Sequence, residues 1–146
     1  MSETRNLAKV LLVEDSKNEF LLTQMLLRRE NIVLDIDLVR SNDEAIKYLS
    51  TKKADIIVID KRIALQEDNK LITFIQNSSK LKKIPVVMLF GISNETSDIT
   101  PYSCEIGVNL CLDKPLNYDK IFFLTKQIDF LSFQRSGNQI YLCKNL

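Results

Sequence analysis

Histidine is absent from all 146 residues, which excludes histidine-based catalysis and histidine metal ligation. Net charge is only +1, so the global balance does not point to nucleic acid or a membrane surface as a partner. No apolar stretch approaches the roughly 18–20 residues that cross a bilayer. The polar start Met1-Ser-Glu-Thr-Arg5 lacks the apolar core of a signal peptide. Cysteine is scarce as well: Cys104, Cys111 and Cys143 are odd in number and show no CxxC spacing. They read as reduced thiols, and the expected location is cytoplasmic. No internal repeat and no low-complexity linker divides the chain.

What is present fits one domain with a proper core. A chain of this length has little room for a second module. Its hydrophobic content of 45% and charged content of 27% are ordinary for a globular protein. Apolar runs alternate with amphipathic stretches. Lys9–Val13 is the first expected strand. Ser16-Lys-Asn-Glu19 has capping-box spacing and opens a helix that runs to about Glu30. Asp35-Ile-Asp-Leu-Val39 alternates as a second strand does, and Ser41-Asn-Asp-Glu44 repeats the capping spacing before Ala45, Ile46 and Leu49. A third strand is expected at 55–60 and a helix at 69–77. Val86–Phe90 and Leu110-Cys-Leu112 are the fourth and fifth strands, and a long last helix spans 118–133. Proline is costly inside a helix, so the fourth helix is expected to start late, near Thr100 or Pro101. Strands alternating with helices specify an α/β fold with a parallel sheet.

Three acids stand at the ends of such strands. Glu14 and Asp15 follow the first, and Asp60 closes the third. In open parallel sheets, ligand sites form outside the carboxyl ends of the strands. Carboxylates gathered there repel one another unless a cation sits among them, which points to a magnesium-assisted phosphoryl site.

The order and spacing of four segments resemble the receiver domain of bacterial two-component response regulators. They are Val10-Leu-Leu-Val-Glu-Asp15, Asp55-Ile-Ile-Val-Ile-Asp60, Ile84-Pro-Val-Val-Met-Leu89 and Gly107-Val-Asn-Leu-Cys-Leu-Asp-Lys-Pro115. Val108-Asn109 and the stretch at 117–133 make the chain most similar to stand-alone regulators associated with bacterial phytochromes. The resemblance covers residues 7–133 and leaves 134–146 as a C-terminal extension. It implies a flavodoxin-like, doubly wound five-stranded sheet of order 2-1-3-4-5, with helices on both faces. It also implies that Asp60 accepts a phosphoryl group from a histidine kinase or a histidine phosphotransfer protein. Asp15 would ligate Mg2+ directly and Glu14 through water, with Asp60 and the backbone carbonyl of Arg62 as further ligands. Lys114 would pair with the new phosphoryl group, and Lys114–Pro115 is a candidate cis peptide.

Two departures from the family pattern bear on output. The threonine or serine that closes the fourth strand is Phe90 here, and a phenyl ring cannot donate a hydrogen bond to phosphate. Ser93 lies two residues past Gly91. The family's switch aromatic, three residues before the lysine, is Cys111. One reading has Phe90 filling the space of that missing ring; the other is drift in a domain that no longer switches this way. The loop Lys61-Arg-Ile-Ala-Leu-Gln-Glu-Asp68 has neither proline nor glycine. Lys61 and Arg62 there either neutralise the pocket without metal, attract the phosphoryl donor, or point to solvent.

Taken singly, each motif has a plainer explanation. Asp15 or Ser16 can cap a helix, Asp60 can be a solvated residue after a strand, and Lys114 can sit in a turn. Their conjunction favours a single-domain response regulator acting by contact with a downstream protein, with homodimerisation open. The alternative is a phosphorylation-independent pseudo-receiver that binds or scaffolds. An independent phosphatase is excluded, because the second acid it requires two residues after Asp60 is Arg62. Residues 134–146 either add an edge strand, pack on the domain, join a dimer or form a loose tail.

Overall fold

The computed structural model describes residues 6–91 and 107–145. Ser93, Cys104 and the expected fourth helix near Thr100 lie outside the described residues.

Five strands form one parallel sheet: β1 (Lys9–Val13), β3 (Asp35–Val39), β4 (Ile56–Asp60), β5 (Val86–Phe90) and β6 (Leu110–Asp113). Their order is β3-β1-β4-β5-β6. Counted among the five alone, that is the expected 2-1-3-4-5 order of a flavodoxin-like fold. The central strand β4 is buried at every residue, as a run of β-branched side chains covered on both faces must be. Leu11, Val13, Ile57, Ile59 and Met88 face one layer, with Ala45 and Leu49 of α2 (Asn42–Thr51) and Leu71, Ile72 and Ile75 of α4 (Lys70–Gln76). Val10, Leu12, Ile56, Val58 and Val87 face the other, with Leu27 of α1 (Lys17–Arg29) and Ile121 and Leu124 of α5 (Tyr118–Gln127). Each such leucine, isoleucine, valine or methionine side chain, fully buried, contributes roughly 1.5–3 kcal/mol.

Local signals start the helices where the spacing places them. Ser16 Oγ accepts the Glu19 N–H at 3.2 Å, and Ser41 Oγ accepts the Glu44 N–H at 3.1 Å. A one-turn helix, α3 (Lys61–Ala64), begins directly at the end of β4, with Asp60 as its cap. Before β6 the chain passes through Gly107 at φ +94°, where an added Cβ would collide with the Gln76 side chain.

The expected long last helix is corrected by the structure. It ends at Gln127, and Ile128 is extended. The chain then forms β7 (Leu131–Ser136) and β8 (Gln139–Lys144), an antiparallel hairpin closed at Gly137, φ +61°. Ile121, Leu124, Ile128 and Leu131 keep helical spacing, so periodicity alone runs past the true end. What decides is the partner strand, which takes up the backbone groups of 131–136. A short strand absent from the sequence expectation, β2 (Ile32–Val33), adds parallel to β8. The second sheet therefore has the order β2-β8-β7. A division of the chain at residue 133 falls inside β7.

Candidate metal and phosphoryl site

Parallel strands deliver their carboxyl ends to one edge, and this edge collects the acids. Glu14 leaves β1 with its N–H still bonded to the Val39 carbonyl at 2.9 Å. That bond keeps Glu14 in line with the sheet and buried, 5% exposed. Its Oε2 accepts the Ser16 N–H at 3.0 Å. Asp60 closes β4 and is 3% exposed; its Oδ1 accepts the Arg62 N–H at 2.9 Å. Asp15 lies at the surface. Carboxylate oxygens of Glu14, Asp15 and Asp60 come within 4.8 Å of one another.

Two basic side chains enter this cluster. Lys114 follows β6, and its backbone N–H donates to the Phe90 carbonyl at 2.9 Å. The Lys114–Pro115 bond is cis, as expected. Lys114 Nζ donates to Glu14 Oε1 at 3.1 Å, to Asp60 Oδ2 at 3.0 Å, and to Glu19. Arg62 Nη2 donates to Asp15 Oδ1 at 2.8 Å and to Asp60 Oδ2 at 3.2 Å.

The electrostatics follow from burial and pairing. Burial pushes Glu14 above the ordinary carboxylate value, opposed by the Ser16 N–H and the Lys114 ammonium. For Lys114, burial alone would pull the ammonium down, but the carboxylates of Glu19, Asp60 and Glu14 outweigh it and hold the group protonated. The Arg62 guanidinium is raised by its hydrogen bond to Asp15 and by the charge of Asp60.

The donor set consists of hard carboxylate oxygens. That chemistry suits Mg2+ or Mn2+. Beside it a cleft of about 360 Å³ is lined by Leu12, Leu22, Leu89, Gly91, Pro115 and Leu116, with Glu14, Glu19 and Lys114 on its polar side.

All the expected site positions lie at or near this edge, but not all in the expected manner. Glu14, Asp15, Asp60 and Lys114 converge. Arg62, expected to offer its backbone carbonyl, also reaches the acids through its guanidinium, as the pocket-neutralising reading of that side chain has it. Phe90 is half-buried in register with Asp113, and Cys111 in register with Met88. Side-chain alternation puts Phe90 and Cys111 on the same face of the sheet. Glu19 escaped the sequence expectation beyond its place in the capping box. The available signal was its place in the first turn of α1, the helix that begins just past the carboxyl end of β1.

Comparison with known proteins agrees with this geometry. The family described as the response regulator receiver domain matches residues 10–126. Response regulator Rcp1 of Synechocystis sp. is 30% identical over 137 residues, which cover 88% of this chain and 92% of Rcp1. Among solved structures, the bacteriophytochrome response regulator AtBRR superposes with a TM-score of 0.72 at 24% identity, covering 90% of this chain and 99% of its own. That likeness supports the fold. The bacteriophytochrome response regulator RtBRR gives 0.68 at 27% identity, covering 91% and 83%. The Mn(2+)-bound form of Rcp1 gives 0.59 at 26% identity, covering 84% and 91%.

Proposed function

The chain belongs to the response regulator receiver domain family, and from that premise we propose that it is a single-domain response regulator phosphorylated on Asp60. The observation that carries this is the meeting of Asp60 with Lys114, Glu14 and Asp15 at one sheet edge. A carboxylate that is buried, oriented by a backbone N–H and faced by a fixed ammonium is prepared for nucleophilic attack. Its carboxylate attacks the phosphorus of a phosphohistidine on a partner kinase or phosphotransfer protein. The P–N bond breaks, the imidazole departs with the electron pair, and an aspartyl phosphate forms. Lys114 then pairs with a phosphoryl oxygen, and most of the work is positioning and charge neutralisation.

Glu14, Asp15, Asp60 and the Arg62 backbone carbonyl would hold a Mg2+ ion. When bound, the ion offsets the charge that accumulates on the phosphoryl oxygens. The Mn2+ in the Rcp1 structure supports the same reading for this chain. No helix among the described residues is long and apolar enough to cross a membrane, in keeping with a cytoplasmic location. Output passes through contact with a downstream protein.

A second reading, a phosphorylation-independent binding module, is favoured by Phe90 and Cys111. Only the Phe90 backbone carbonyl serves Lys114; its ring has no hydroxyl to offer a phosphoryl group. Incubation with Mg2+ and acetyl phosphate, followed by mass spectrometry, separates the two. One phosphoryl group on the wild type and none on Asp60→Asn is the expected outcome. No incorporation, either from acetyl phosphate or from a phosphohistidine donor, favours the binding module.

A further inference from the structure

We propose that the Arg62 side chain is a tethered cation that closes the Asp15–Asp60 pair, so that Arg62 and a divalent metal ion compete for the same two carboxylates. The inference rests on the metal-dependent reading above and adds a residue that sets how readily metal enters.

The geometry is specific. One atom, Arg62 Nη2, bridges Asp15 Oδ1 at 2.8 Å and Asp60 Oδ2 at 3.2 Å. Those oxygens belong to two of the three acids close enough to hold a metal among the described residues. The guanidinium therefore uses lone pairs that a cation ligated there requires. A divalent ion ligated by both Asp15 Oδ1 and Asp60 Oδ2 would have to enter the gap that Nη2 bridges, so the two compete for space as well as for charge. Lys114 does not stand in the same position, since it contacts Glu14 and Glu19 as well as Asp60 and leaves Asp15 untouched.

Exposure makes the competition reversible. The Arg62 side chain is 57% exposed, against 16% for Lys114. The pair with Asp15 is exposed on both sides and holds weakly, while Asp60 keeps Lys114 as a second partner. Arg62 therefore swings into solvent at modest cost while Lys114 remains. The two functions of Arg62 are also separable. Its backbone N–H orients Asp60 Oδ1 at 2.9 Å, and a substitution that shortens the side chain leaves that bond in place.

The test is Mn2+ titration of the full chain by calorimetry, paired with thermal melts with and without Mn2+. Arg62→Ala is expected to bind Mn2+ about three- to tenfold more tightly than the wild type, the size expected for releasing an ion pair held by a half-exposed guanidinium. Arg62→Lys, which keeps the charge, should stay nearer the wild type. Without metal, Arg62→Ala should melt lower than the wild type, and saturating Mn2+ should close that gap. Arg62→Gln, which keeps most of the length without the charge, provides the same comparison should the alanine variant fold poorly. Equal or weaker Mn2+ binding by the neutral variants overturns the role of Arg62 and leaves the metal site standing. Absence of Mn2+ binding by every variant removes the metal-dependent reading itself, and this inference with it.

Discussion

Lys114 and Asp60, 54 positions apart in the chain, meet at 3.0 Å at the carboxyl edge of the sheet. The Lys114 ammonium spans from the acid that ends β4 to the one that follows β1, with Glu14 at 3.1 Å. It pairs with both buried carboxylates of the site. Removing it leaves those charges in a poorly solvated position, and the loss of one partner costs more than the pair contributes.

Lys114→Ala should therefore destabilise the protein. Breaking a fully buried pair costs about 3–5 kcal/mol. Arg62 continues to pair with Asp60 and the cleft admits water, so about 2 kcal/mol is expected here. Urea denaturation at neutral pH without divalent cations measures it. A shift below about 0.5 kcal/mol would mean that solvent already screens Glu14 and Asp60, contrary to their burial.

The sheet and its acids were legible from sequence for a simple reason. A strand covered on both faces needs an unbroken apolar run, and Val10–Val13 and Ile56–Ile59 supply one. The next polar residue must then fall at the sheet edge. The C-terminal hairpin was not legible. Leu131 satisfies helical spacing, while its strand character comes from Lys144, thirteen positions later. Ile32 and Val33 form a strand only because Ile140 and Tyr141 lie alongside them. The Arg62 guanidinium was left open among three readings, and the Glu19 carboxylate was missed, for a different reason. Where a long side chain reaches is set by the charges around it in three dimensions, and periodicity carries no record of that.

At the other edge of the sheet, the Tyr48 hydroxyl donates to Asp37 Oδ2 at 2.6 Å. Burial, and then this hydrogen bond, push the Tyr48 hydroxyl up to about 12. The same bond, foremost, holds Asp37 below its ordinary value. Tyr48→Phe removes it and should cost about 1 kcal/mol near neutrality, the lower range for a bond to a charged group at a half-exposed site. The pH dependence has a definite sign. Tyr48 is raised in the fold, so its contribution is complete below pH 10 and fades as pH rises from 10 toward 12. Asp37 is lowered, so its contribution is present above its ordinary 3.8 and fades as pH falls below that. The stability gap between wild type and Tyr48→Phe should therefore be widest from about pH 5 to 9 and narrow at both ends. A gap constant from pH 3 to 11.5 would show that the loss is one of packing rather than of this hydrogen bond.

The C-terminal hairpin is part of the core. Leu142 is 1% exposed and packs in the cluster that contains Leu131, Ile128, Leu124 and Val10. Its carbonyl accepts the Ala8 N–H at 3.0 Å, and the Lys144 N–H donates to the Asn6 carbonyl at 2.7 Å. The hairpin thus holds the segment that leads into β1, the strand that presents Glu14. Further along, Lys144 Nζ reaches Asp55 Oδ1 at 3.3 Å, while Asp55 Oδ2 accepts the Lys9 N–H at 2.7 Å. Leu142→Ala opens a cavity where no solvent reaches, and such truncations cost about 2–4 kcal/mol. Urea denaturation followed by circular dichroism should show that loss within one cooperative transition, because the hairpin and the parallel sheet share their apolar contacts. A loose tail would instead leave stability within about 0.5 kcal/mol of the wild type. A separate early transition would show that the hairpin unfolds without disturbing β1.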